Sequence, residues 1–94
     1  MFPREWLVER ITLAEAEAAN PGVRGERAQR FPNFAKPFGR LNAQWEALKA
    51  AMKPGDELWT FSSSVKSFAD FAGRRGVVLL RDGEAVAEIV TLMS

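Results

Sequence analysis

Between residues 24 and 40, five cationic side chains, Arg24, Arg27, Arg30, Lys36 and Arg40, stand against a single acid, Glu26. Three rings, Phe31, Phe34 and Phe38, are interleaved with them. Cations matched to phosphates and rings that stack on bases are what single-stranded nucleic-acid binding uses. The same residues also suit an anchored loop: Pro32 and Pro37 stand beside two of the rings, which pin the segment while its charges stay in water. Gly73-Arg74-Arg75-Gly76 repeats the theme, since a G-x-x-G loop with basic residues can clamp a nucleotide backbone. That loop joins two helices, whereas here it joins a helix to a strand, and a helix C-cap glycine followed by a turn accounts for the same four residues.

Other chemistries are poorly supplied. Histidine, cysteine and tyrosine are absent. That removes the usual general base, the commonest metal ligand, thiolate catalysis, disulfides and the Ser-His-Asp arrangement together. Ser63-Ser64-Val65-Lys66 fits the S-x-x-K spacing of a lysine-activated serine. The enzymes that use it need a larger scaffold, and serine capping of a helix is the better account. Asp56-Glu57 and Asp82/Glu84 fall at turns and strand edges, where acids are commonly solvated. Trp6, Trp45 and Trp59 read as core anchors. The expectation is no catalytic residue, no metal and no cofactor.

At 94 residues the chain has room for one modest core, so one domain over residues 1–94 is expected. Net charge is +1, yet residues 21–53 hold seven basic against two acidic side chains while the segments on either side are each −2. The basic excess in the middle third is the compositional feature that marks a partner surface. No apolar run approaches the ~20 residues that span a bilayer. The opening Met-Phe-Pro-Arg-Glu-Trp, followed by Glu9, does not read as a secretory signal, so a cytoplasmic protein is expected.

The stretch from Lys53 to Ser64 organises the fold. Pro54-Gly55 stops a helix, and Glu57–Ser62 alternates as a strand. Before it, Arg4–Asn20 reads as one helix, with Leu7, Ile11, Ala14 and Ala18 at helical spacing. A capping box at Thr12-Leu13-Ala14-Glu15 offers the rival reading, a shorter helix from Leu13 with Trp6–Ile11 extended. Gly22–Arg40 has no steady period. Leu41–Lys53 is a helix whose Leu41, Trp45, Leu48 and Met52 form one apolar stripe, with Asn42 as its N-cap. After Ser62, a short helix bearing Val65, Phe68 and Ala72 ends at Gly73. Val77–Arg81 and Glu84–Leu92 then form a hairpin about Asp82-Gly83. The 13-residue connection from Ser63 to Arg75 suits a crossover, which places the last strand between the other two.

From Phe31 to the end, the order of a helix, Pro54-Gly55-Asp56-Glu57-Leu58-Trp59, a short helix and a hairpin resembles small uncharacterised bacterial proteins. The resemblance implies no functional residue. The fold expected is α+β: two N-terminal helices and a long anchored loop on a three-stranded mixed sheet. The function expected is a non-enzymatic protein-interaction module, with a protein partner or a second copy of itself, and no membrane. Its surface would be the Phe31–Arg40 loop and an exposed sheet edge. The alternative is weak nucleic-acid binding through the 24–40 segment with Arg74 and Arg75. Contact residues under either reading are Arg24, Arg27, Arg30, Phe34, Lys36, Phe38, Arg40, Arg74 and Arg75.

Overall fold

Thr12 sets the course of the first twenty residues. In the computed structural model, which describes residues 2–22, 25–32, 35–63 and 73–93, the Thr12 hydroxyl accepts the Glu15 amide at 3.1 Å. The Glu15 carboxylate in turn accepts the Thr12 amide at 2.9 Å. This reciprocal cap satisfies two amides that a helix start leaves open, so α1 (Leu13–Ala19) begins here. The continuous helix expected over Arg4–Asn20 is not formed. Arg4–Trp6 makes a 3-10 turn and β1 (Leu7–Ile11) is extended. Helix propensity loses because β1 gains a strand partner and packs Leu7 and Ile11 against the core.

The sheet is also corrected. Among the described residues it has four strands, β1, β2 (Glu57–Ser62), β3 (Arg74–Arg81) and β4 (Glu84–Met93), in sequence order and antiparallel throughout. Glu57 lies opposite Leu80 and Ser62 opposite Arg75, so the chain returns beside β2 in the reverse direction. A crossover is therefore not needed. β3, not the last strand, is central, and β4 is an edge. The short helix expected between Ser63 and Gly73 falls on residues 64–72, outside the described residues. The Asp82-Gly83 hairpin is present, with φ of 54° and 82° at the two turn residues. The molecule is thus a mixed α+β fold.

Strand alternation divides the apolar side chains between two faces. On the helix side, Leu58, Val77, Leu79 and Ile89 pack with Ala16 of α1, Phe38, and Trp45 and Leu48 of α3 (Asn42–Ala51). On the other side, Phe61, Val78 and Leu80 are covered by Phe2, with Trp6 and Trp59 partly buried beside them. Gly76 sits beside the β4 bulge, where the paired backbone comes close: a Cβ there would collide with the Ile89 carbonyl oxygen and come within 3.1 Å of the Thr91 amide nitrogen. The G-x-x-G segment is therefore the start of a strand whose second glycine admits its neighbour's backbone.

α3 carries the expected stripe, but Asn42 does not cap it. The Asn42 side-chain amide donates to the Pro37 carbonyl at 3.0 Å, and a 3-10 turn over Gly39–Leu41 leads in. At the far end of α3, Asp56 is a structural clamp rather than a solvated turn acid. Its side chain is 2% exposed; it accepts the Lys53 amide at 2.9 Å and two hydrogen bonds from the Arg81 guanidinium at 2.9 and 2.8 Å. Arg81 also donates to the Ala51 carbonyl at 3.0 Å, tying the end of α3 to the end of β3. These donors hold the Asp56 pKa down to about 2, the Arg81 hydrogen bonds contributing most.

Candidate interaction surface

Of the candidate contact residues, Arg24 and Phe34 lie outside the described residues. Arg27 and Arg30 project from α2 (Glu26–Arg30) and are exposed, as are Lys36 and Arg40. None of these four forms an ion pair among the described residues, whereas Arg10, Lys49, Arg74 and Arg81 all do. Phe31, which follows α2, is 50% exposed.

Phe38 has a different task. It is 7% exposed and its ring stacks on Trp45, with centroids 4.5 Å apart. Its backbone is left-handed, φ 66°, which a bulky residue adopts only when its surroundings impose it. Two contacts do so here: the ring stack, and the Phe38 amide donating to the Asn20 carbonyl at 2.7 Å. The ring is an anchor of the loop and not a free stacking platform. Beneath it, the Trp45 indole donates to Glu17 at 2.8 Å and Lys49 lies 3.1 Å from the same carboxylate. These contacts lower the Glu17 pKa, Trp45 first and Lys49 second. α1, α3 and the loop are thereby fixed to one another.

Above this anchor lies a cavity of about 370 Å³, walled by Asn20, Phe38, Arg40, Leu41 and Thr91. Thr91 belongs to β4. The basic loop and the sheet edge, some fifty residues apart in sequence, therefore meet at one concavity, with the Arg40 side chain on its wall. The volume falls in the range of sites that accept a small apolar group. No spacing in the sequence signals Asn20 or Thr91 as walls, because the contact depends on sheet order.

Arg74 and Arg75 diverge. Arg75 continues the row of Val77 and Leu79 on the helix side, and the Thr91 hydroxyl donates to its carbonyl at 3.2 Å. Arg74 turns to the opposite face, where its guanidinium lies 5.4 Å from the Trp6 ring centroid and 3.7 Å from Glu88. The two arginines thus do not form a clamp on one side of the sheet. Ser63 is buried and bonded into the strand end: its amide donates to the Arg74 carbonyl and its hydroxyl accepts the Arg74 amide, both at 2.8 Å. Glu57 accepts the Trp59 indole at 2.8 Å. Among the described residues no three acids gather as metal ligands would, and no helix is long and apolar enough to cross a membrane.

Compared with known proteins, the chain significantly matches no family model, no curated protein and no solved structure.

Proposed function

We propose that this chain is a non-enzymatic protein-interaction module whose contact surface runs from the basic segment, Arg27 to Arg40, onto the β4 edge. The observation that carries the reading is the shared cavity: Arg40 and Leu41 of the loop and Thr91 of the edge strand wall one concavity. A partner bound there meets cations with no ion-pair partner among the described residues, an apolar recess and a strand edge at once. Such a surface suits an extended acidic segment with an apolar anchor, because strand addition supplies backbone hydrogen bonds and the recess supplies specificity. These cations favour the encounter with an acidic partner and make it salt-dependent.

The test is titration of the chain at low concentration with a short peptide of alternating Glu and Leu, followed by tryptophan emission, since Trp45 lies under the cavity wall. Saturable binding that weakens with salt and is lost in Arg40→Glu is expected. No binding at low salt ends the reading. A second reading, weak single-stranded nucleic-acid binding, draws on the same Arg27, Arg30, Lys36 and Arg40, which have no ion-pair partner among the described residues. It is the weaker because Arg74 is occupied on the opposite face. An oligonucleotide bound in preference to the acidic peptide would favour it.

A further inference from the structure

The two sheet edges are not alike. β1 is five residues long, is interrupted by a bulge at Val8 and carries Glu9 and Arg10, devices that discourage a further strand. β4 is ten residues long, and among the described elements only β3 pairs with it. Its charges are Glu84 and Glu88, and its Val86, Ile89, Val90 and Thr91 are β-branched residues suited to a ladder.

Charge along this edge is graded. Glu84, exposed at the start of β4, lies opposite Arg81 and so shares the helix-side row of Val77 and Leu79. At the other end of β4, on that same side, stand Arg40 at the cavity and Arg75, which is paired in register with Leu92. Arg75 and Arg81 are six residues apart on β3, which at ~3.3 Å per residue separates the two ends by roughly 20 Å. That exceeds the ~8 Å Debye length at physiological salt, so the two ends do not neutralise each other within one molecule.

From this we infer that the occupant of the β4 edge is a second copy of the chain, paired antiparallel about a two-fold axis near Ile89, so that four strands become eight. The inference rests on the module reading and names its partner. Antiparallel pairing about that axis carries Glu84 of each copy to the Arg40 end of the other, making two opposite-charge contacts, Glu84 with Arg40 and Arg40 with Glu84, from one self-complementary patch. It also brings Val86, 40% exposed, to the level of the other copy's Leu92, next to Thr91 and the cavity. A parallel arrangement would instead set Glu84 beside Glu84 and Arg40 beside Arg40. Bulges at Val86 and Thr91 leave Ala87–Val90 as the uninterrupted stretch of β4, so the ladder is short and the dimer weak.

The test is the mass of the full chain by light scattering or sedimentation from about 10 µM to about 1 mM, the range in which a weak dimer forms. The expected result is a doubling of mass with concentration, reduced in about 1 M salt where charges are screened within a few ångströms. Arg40→Glu and Glu84→Lys should each remain monomeric. Their equimolar mixture should regain the dimer, as should the double variant, because both contacts are then of opposite sign again. Circular dichroism on each variant checks that it is folded. A wild-type monomer throughout, growth beyond a dimer, single variants that associate unchanged, or a mixture that stays monomeric each overturn the inference. If the chain is monomeric yet still binds the Glu-Leu peptide, the module reading stands and the second copy is not its partner.

Discussion

Adding a single methyl group at Gly76 tests whether the β4 backbone approaches β3 as closely as the structure has it. Gly76 has no positive φ and sits inside a strand. In open space Gly→Ala would therefore stabilise the protein by about 0.5–1 kcal/mol, through a less flexible unfolded chain and better strand propensity. Here the new Cβ would meet the Ile89 carbonyl oxygen, with the Ile89 carbonyl carbon at 2.9 Å and the Thr91 amide nitrogen at 3.1 Å. All three are backbone atoms of a paired strand, so none can rotate away as a side chain would. The strands must separate, disturbing the ladder where Gly76 pairs with Val90. Overpacking of this kind costs about 1–3 kcal/mol and more where backbone must move. The expected net loss for Gly76→Ala is about 2 kcal/mol, a fall in Tm of roughly 8–16 °C for a domain of this size. Urea denaturation followed by tryptophan emission should show the midpoint falling with little change in slope. Gly55→Ala is the control: its φ is 93° but nothing lies within 4 Å of the added atom, so backbone strain of about 1 kcal/mol is its whole cost. If Gly76→Ala proves as stable as the parent, the close approach of β4 to Gly76 is wrong.

Two further outcomes follow from the clamp and the cap. The Asp56 pKa is depressed from 3.8 to about 2 in the folded chain. Its contribution to stability is thus fully present above pH 3.8 and is lost as pH falls through about 2. Stability measured across that window should drop in the parent and drop less in Asp56→Asn, while an unchanged slope would remove Asp56 from its assigned role. Thr12→Ala deletes the reciprocal cap on α1 and should cost about 1 kcal/mol by chemical denaturation. No loss would mean the cap is not what ends β1.

Much of the fold was legible because its signals are local. The Asp82-Gly83 turn, the α3 stripe of Trp45 and Leu48, and the β2 alternation each depend on residues within a few positions of one another. The Thr12 box is legible too, but helix propensity over residues 4–20 competes with it. What decided for the box was β2, a strand more than forty residues away that gave Leu7–Ile11 a partner. Sheet order failed for a related reason: connection length permits a crossover without requiring one, and only the pairing of Ser62 with Arg75 settles the direction. The role of Asp56 is hidden because a carboxylate in a turn looks the same in sequence whether water or Arg81 satisfies it.

The same division holds at the candidate surface. Composition by itself determined that the middle third is basic and that it carries rings, and the absence of histidine, cysteine and tyrosine narrowed the available chemistry. These are properties of residue type, independent of how the chain folds. Only tertiary structure decided that Phe38 is buried on Trp45, that Arg74 and Arg75 turn to opposite faces, and that Arg40 shares a cavity with Thr91. Alternation along β3 parts the two arginines, and sheet order brings the last strand to the loop. Both are pairings between distant segments, set by which strands bury apolar faces together, and no local spacing records them.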